Sequence, residues 1–301
     1  MKLSIVLPIY NGESTLPQTL DSLVNQTFQD FELVVCIDGT KDNSLNILNQ
    51  YRDKFKKMVI LENPVNMGLG ATMNKLVSCS SGEYIAVAEQ DDFYYPERLK
   101  LQTEILDNNP SIGLVSGIAD FWNGDKITSR FPGLLVNKKQ YPQNKELFLW
   151  MYREQSKIAN SCMMFRKSVH TDNGLYFSKH YPSISVDWSY FLRFSLVSEV
   201  YGIPESLVRL DRRVDRNSVT THKEKQHKAA RELIRSFRYE YPNLITKKDY
   251  KFAMTTQHLM ELSGKSIKNF IFPFLCAFFQ NPTDKRWKNY LKNRVKRFVK
   301  K

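Results

Sequence analysis

Residues 84–99 read YIAVAEQDDFYYPERL. Tyr84 to Ala88 is an apolar run of strand length, and it leads straight into Glu89, Gln90, Asp91 and Asp92. Three acids in four positions at the carboxyl end of a buried strand are costly unless a cation sits on them. Hard carboxylate oxygens suit Mg²⁺ or Mn²⁺, so a divalent ion carrying a diphosphate would satisfy them. Pro96 suits the first turn of a following helix, where its missing N–H costs nothing. The plainer alternative is an acidic loop that caps this helix.

Working outward, the preceding residues repeat one theme. Leu3 to Ile9 is a branched apolar run ended by Asn11-Gly12. Leu16, Leu20, Leu23 and Val24 then recur at helical spacing behind Pro17. Phe31 to Ile37 is a second strand, broken by Asp38-Gly39 and followed by Leu45, Leu48 and Tyr51 on a helix. Met58 to Leu61 is a third strand, Asn66 to Gly70 a turn, and Ala71 to Val77 a short helix. This alternation predicts a mainly parallel α/β sheet flanked by helices. Ligands on such sheets sit beyond the carboxyl ends of the strands. Tyr10-Asn11, Asp38-Gly39 and Glu89 to Asp92 all fall on that rim. Neither GxGxxG nor GxxxxGKS occurs, which argues against classical dinucleotide and P-loop binding. Beyond residue 110 the pattern loosens. Ile112 to Ile118 and Cys162 to Arg166 read as strands, Asn123-Gly124 as a hairpin turn, and Ser185 to Val197 as a helix with Asp187 near its start.

The 301 residues are 42% hydrophobic, enough for a sizeable core, and carry a formal charge of +13. Residues 284–301 hold nine Lys or Arg against Asp284 alone, so +8 of that charge lies in the tail. A mildly basic body with an acid-rich rim argues against nucleic acid as the partner. The four cysteines form no CxxC pair, which excludes the usual zinc and disulfide patterns and suggests a reducing compartment. The first apolar run is broken by Pro8 and lacks the form of a signal peptide. FIFPFLCAFF from Phe270 is about half of what a spanning helix needs.

The stretches SIVLPIYNGESTLPQTLDSLVNQTFQDFELVVCIDGTKDNS, NPVNMGLGATMNKLVSCSSGEYIAVAEQDDFYYPERLKLQ and VDWSYFLR together resemble the family 2 glycosyltransferases. These are inverting, nucleotide-sugar-dependent enzymes of the GT-A fold. The resemblance covers about residues 2–215 and is strongest over the first hundred. It implies a catalytic domain over 1–215, with a nucleotide-sugar half (1–107) and an acceptor half (108–215), and a helical C-terminal extension over 216–301. Pro8, Tyr10 and Asn11 would border the nucleobase, with Glu13 in the same loop. Asp38 would accept from a base N–H, which favours uracil. Asn66, Gly68 and Asn74 would shape the floor under the sugar-phosphate. Glu89 and Asp91 would contact the donor, Asp91 and Asp92 would hold Mn²⁺ or Mg²⁺, and Asp187 would be the catalytic base. Trp188 is a candidate acceptor contact and Asp211 a candidate metal contact, with His222 as a weaker one.

Three positions depart from the family pattern. Glu89 stands where Asp is usual, Val186 where Glu is common, and Asp211 where some relatives place a metal-binding His. The QxxRW element of processive synthases is absent, which implies single-sugar addition. Each role has a plainer alternative: a turn former before Gly39 for Asp38, an N-cap for Asp187, and packing for Tyr10 and Trp188. The implied activity is transfer of one sugar, from a UDP-sugar, to a hydroxyl of a glycan or lipid-linked acceptor in surface polysaccharide synthesis. The competing functions are a silent homologue that binds nucleotide sugar without turnover, and a basic nucleic-acid-binding protein. In the tail, Trp287, Tyr290, Leu291, Val295, Phe298 and Val299 fall on one helical face among basic residues. Such a helix suits an anionic membrane surface, and implies a cytoplasmic protein peripheral to the inner face of the membrane. Phe270 to Phe279 just upstream offers a second apolar contact or a segment that docks on the catalytic domain, and the plainer alternative for the tail is a solvated, partly disordered basic end.

Overall fold

The computed structural model describes residues 1–156, 158–180, 184–213, 223–266 and 269–299. The chain divides into two compact units, Met1–Phe148 with Lys157–Thr221, and Leu149–Ser156 with His222–Lys301.

The first unit opens with β1 (Leu3–Ile9), α1 (Leu16–Val24), β2 (Phe31–Asp38), α2 (Ser44–Tyr51), β3 (Met58–Asn63), α3 (Leu69–Cys79) and β4 (Tyr84–Val87). β1 pairs in parallel with β2 (Leu3 beside Phe31) and with β4 (Leu3 beside Tyr84), and β2 pairs in parallel with β3. β2 and β4 are buried along their whole length and β1 everywhere except half-buried Pro8. That is why their sequences are continuous apolar runs: helices cover both faces of a parallel sheet. Each strand ends where a polar or glycine pair stops it, which brings those pairs to one rim.

The unit continues with β5 (Asp92–Tyr94), α4 (Arg98–Asn108), β6 (Ile112–Trp122), β7 (Ile127–Phe131), α5 (Gly133–Val136), α6 (Asn144–Glu154), β8 (Met164–Arg166), α7 (Lys167–Asp172), α8 (Ile184–Phe194) and β9 (Glu199–Asp211). The sheet order is β3-β2-β1-β4-β8-β6-β9-β5, with β7 paired to β6. β8 runs antiparallel to both β4 and β6, β9 runs parallel to β6, and β5 runs antiparallel to β9. The expected mixed, mainly parallel sheet with a helical C-terminal region is therefore observed. The Asn123-Gly124 turn joins the antiparallel pair β6 and β7. Two local readings need correction. α4 begins at Arg98 with Glu97 in the capping position, so Pro96 lies in the turn ahead of the helix. Residues 92–94 leave the acidic segment as a strand, because β9 offers them an edge to pair with.

The second unit contains the last turns of α6 and four further helices: α9 (Lys223–Glu240), α10 (Lys247–Ser263), α11 (Ile271–Gln280) and α12 (Arg286–Val299). α10 starts at a capping box, in which Asp249 N donates to Thr246 Oγ1 at 3.2 Å and Thr246 N donates to Asp249 Oδ2 at 2.9 Å. Arg153 pairs with Asp249, and Tyr152 donates to the Ile234 carbonyl at 2.7 Å. Leu262, Phe270, Ala277 and Trp287 form a small separate core. The amphipathic reading of the tail is corrected here. Trp287 is only 2% exposed and Tyr290 is half-buried against Phe270, so these two pack inward on α11, whereas Leu291 is exposed. Val295, Phe298 and Val299 lie outside the described side chains. Among the described residues no helix is long and apolar enough to cross a membrane.

Candidate functional site

Glu89, Asp91 and Asp92 converge as β4 ends. Each offers a carboxylate oxygen, and the three lie within 4.8 Å of one another. Two side chains from a short 3₁₀ turn, residues 160–162, reach this cluster. Asn160 Nδ2 donates to Glu89 Oε1 at 2.6 Å, and Ser161 Oγ donates to Asp92. From below, Thr19 Oγ1 donates to the carbonyls of Gln90 (2.9 Å) and Asp92 (2.8 Å), and Glu89 N donates to the Tyr94 hydroxyl at 2.6 Å. Arg98 is wholly buried behind the cluster. Its guanidinium lies 4.6 Å from the Tyr94 ring centre and donates to the Val87 carbonyl at 2.8 Å and to Gln102 at 3.1 Å.

The electrostatics follow from this crowding. Burial, then the Asp91 and Asp187 charges, push the Glu89 carboxyl up to about 7, against the opposing pull of Asn160 and Arg212. Burial, with Glu89 and Asp91 beside it, raises Asp92 well above the usual carboxylate range. Carboxylates that repel one another inside a protein gain most from a shared divalent cation. Three hard oxygens at this spacing fit Mg²⁺ or Mn²⁺.

The rim loops are laced to one another. Gln90 clamps Tyr10 from both sides: Tyr10 N donates to Gln90 Oε1 at 2.8 Å and Gln90 Nε2 donates to the Tyr10 carbonyl at 2.9 Å. The Tyr10 ring is 49% exposed, so the clamp fixes its backbone and leaves its face open. Asn11, with φ at 51°, donates to Thr40 Oγ1; Gly12 N donates to Ser44 Oγ and Glu13 N to Asp42 Oδ2. Glu13 in turn accepts from Asn43 N at 3.2 Å. Pro8 stands beside Cys36 in the last part of β1.

Asp38 is buried and already holds a loop. Its Oδ1 accepts from Asn63 Nδ2 and Met67 N, both at 2.8 Å, and its Oδ2 accepts from Gly68 N at 3.0 Å. A base N–H would have to use the remaining acceptor capacity of Oδ2. Asn66 Oδ1 also accepts from Gly68 N at 3.0 Å. Gly39 has φ +68°, and a Cβ there would meet Asn66 N at 2.2 Å, so only glycine permits this approach. Asn74 is paired with the Phe177 backbone through two hydrogen bonds of 2.8 Å, and holds the segment that leads towards α8.

Asp187 is the fourth residue of α8, inside its first turn, so it is not the N-cap. Its Oδ1 accepts from Trp188 N at 2.8 Å, and its charge reaches Glu89. The helix is fixed from behind by rings: Tyr190 stacks on Phe177 at 4.1 Å, and its hydroxyl bonds His170 Nδ1 at 2.9 Å. Val186 is buried, which explains an apolar residue there. Trp188 is wholly buried as well, so it packs the core and is not an acceptor-facing residue. Asp211 is engaged by Arg213, which donates from its backbone N and from Nε, both at 2.8 Å. It is not among the clustered acids. His222 lies outside the described residues.

The glycosyl transferase family 2 profile matches residues 4–174, more than half of the chain. The chain belongs to this family. Among its relatives is a poly(ribitol-phosphate) beta-glucosyltransferase of Bacillus spizizenii, 44% identical over 102 residues, which are 33% of this chain and 16% of that one. An uncharacterized glycosyltransferase of Methanocaldococcus jannaschii is 30% identical over 54% of this chain and 56% of its own. This chain thus spans little more than half, or far less, of these two relatives. In fold, it is similar to Staphylococcus aureus TarS 1–349, solved with UDP-GlcNAc, with a TM-score of 0.64 at 18% identity over 97% of this chain and 79% of that chain. A Pyrobaculum calidifontis mannosyltransferase solved with GDP-Man and Mn²⁺ gives 0.58 at 12% identity, over 96% and 82%. These likenesses show a shared GT-A fold.

Within this family 2 fold, several residues at the site escaped the sequence reading. Gln90 and Arg98 lie inside the opening stretch but carry no motif of their own. Asn160 and Ser161 are some seventy residues from the acids they touch. Arg212 follows β9, where its N donates to the Trp122 carbonyl at 2.7 Å and its guanidinium lies 4.7 Å from the Phe121 ring centre. Only the acids' need for a counter-charge signals such a residue.

Proposed function

We propose that this protein transfers a single sugar from a nucleoside-diphosphate sugar, with UDP as the carrier, to a hydroxyl of a glycan or lipid-linked acceptor, with inversion. The observation that carries the reading is the convergence of Glu89, Asp91 and Asp92 within electrostatic range of Asp187, with Gln90 of the same segment clamping the backbone of exposed Tyr10. Tyr10 stacks on the base or ribose, and Gln90 keeps its backbone in place. Asp38 holds the 66–68 turn and offers Oδ2 to a uracil N–H. Glu89, Asp91 and Asp92 would hold Mn²⁺ or Mg²⁺, which when bound would supply positive charge to a departing diphosphate. Asp187 takes the proton of the attacking hydroxyl. The α8 N-terminus places a favourable partial positive charge beside its carboxylate, and the ring stack behind α8 keeps it oriented. The setting is surface polysaccharide synthesis at the inner face of the membrane, in line with the polymer acceptor named for the Bacillus relative.

Asp187→Asn tests the assignment. Transfer is expected to fall by about 10²–10⁴-fold, with UDP affinity in calorimetry unchanged. Full turnover in that variant would remove Asp187 from the base role. Donor binding without turnover in the unaltered protein, across a panel of hydroxyl acceptors, would favour the silent homologue.

A further inference from the structure

α11 has two apolar faces. Phe270, Phe274, Ala277 and Phe278 pack against Trp287 and the end of α10. The opposite face carries Ile271, Phe272, Leu275 and Phe279, exposed by 61%, 77%, 42% and 73%. Exposed Cys276 lies among them. These positions, spaced i, i+1, i+4 and i+8, form a continuous stripe, and residues 269–283 contain no charged side chain. Single exposed apolar residues are ordinary, but a charge-free stripe with two phenylalanines this bare marks a contact surface.

The neighbouring helix says what the contact is. α12 packs directly on α11 through Trp287 and Tyr290. Two of its arginines are spent inside the unit: Arg286 is paired with Asp284, and Arg294 donates to the Leu262 carbonyl while lying 4.0 Å from the Phe270 ring centre. Lys285, Lys288 and Lys292 remain exposed. Residues 284–301 hold nine cations and one acid. A bare aromatic stripe beside a dense, uncompensated positive charge complements a surface that is apolar beneath and anionic above.

We infer that the α11 stripe is the membrane-inserting surface of this protein, and that α12 supplies the attraction to anionic lipid headgroups while Trp287 and Tyr290 stay packed on α11. This deepens the proposed membrane setting by assigning the surface. It rests on that setting only for its purpose, because vesicle binding needs neither donor nor acceptor.

The test uses the full chain with Cys79→Ser and an environment-sensitive fluorophore on Cys276, mixed with phosphatidylcholine vesicles with and without phosphatidylglycerol. A blue shift with the anionic vesicles is expected. Phe272→Ser with Phe279→Ser should weaken co-sedimentation tenfold or more. These exposed side chains support no core, and circular dichroism checks the fold. Each of Lys285→Gln, Lys288→Gln and Lys292→Gln should weaken anionic-vesicle binding by about fivefold. Unchanged co-sedimentation of the double Phe variant would overturn the assignment. So would a concentration-dependent dimer that buries the fluorophore without vesicles, which would make a second copy of the chain the occupant. Failure here leaves nucleotide binding and transfer as separate, intact measurements.

Discussion

Asn160→Ala isolates what the 3₁₀ turn does for the acidic cluster. Asn160 gives Glu89 a hydrogen bond of 2.6 Å, and it opposes the burial and the Asp91 charge that push this carboxyl up to about 7. A hydrogen bond to an ionised group contributes about 1.5–3 kcal/mol. At about 1.4 kcal/mol per pKa unit, its loss moves Glu89 up by a further one to two units. Near pH 7 the ionised fraction then drops from about half to between a tenth and a hundredth. A divalent ion needs the ionised form, so Mn²⁺ affinity at pH 7 should fall roughly 5- to 50-fold, with the gap closing as pH rises. Calorimetric Mn²⁺ titration between about pH 6 and 8.5 reads both effects, with circular dichroism as the fold control. Equal affinity at pH 7, or a deficit that does not shrink with pH, would refute the reasoning.

Tyr10→Ala should weaken UDP binding by about 5- to 100-fold, the range for losing one base–aromatic stack, whereas Tyr10→Phe should bind nearly as tightly; calorimetry separates them. Gly39→Ala forces a Cβ into Asn66 N at positive φ and should cost about 1–3 kcal/mol of stability, read as a lowered Tm together with weaker UDP binding. Glu32 concerns the fold alone: burial pushes its carboxyl up, but Lys57, Ser4 and Ser81 outweigh this and hold it down at about 2. Because the folded value lies below the unfolded one, this stabilisation is fully present above about 4.5 and is lost as pH falls towards 2. Glu32→Gln should therefore lower Tm at neutral pH and flatten its decline over that acid window.

The first half of the sheet was legible because its physics is local. Runs such as Leu3 to Ile9 and Phe31 to Ile37 must be buried on both faces, and Asn11-Gly12 and Asp38-Gly39 stop them where the rim forms. β9 was not legible as a strand. It contains Gly202 and Pro204, and its pairing with β6 shifts register near Ser116 and Ile118, so no clean alternation survives in EVYGIPESLVRLD. The acids were visible as an unpaid electrostatic cost, while Asn160 and Ser161 were not, because nothing in a sequence reports which distant polar side chain meets a buried carboxylate. The tail shows the opposite error. The periodicity of Trp287 and Tyr290 was read correctly, but period alone does not say whether a stripe meets lipid or another helix. Here Trp287 and Tyr290 meet α11, and the larger exposed apolar surface lies on the Phe270 to Phe279 run, which the sequence offered as a second apolar contact or a docking segment.

The central claim is that the rim binds a uridine diphosphate through a metal held by Glu89, Asp91 and Asp92. Calorimetric titration with UDP, GDP and dTDP, each with Mn²⁺ and with EDTA, tests it most directly. UDP should bind more tightly than the other two with Mn²⁺, and its binding should be lost in EDTA. A preference for GDP or dTDP would contradict the role given to Asp38. No binding of any nucleotide in the presence of Mn²⁺ would contradict the claim itself.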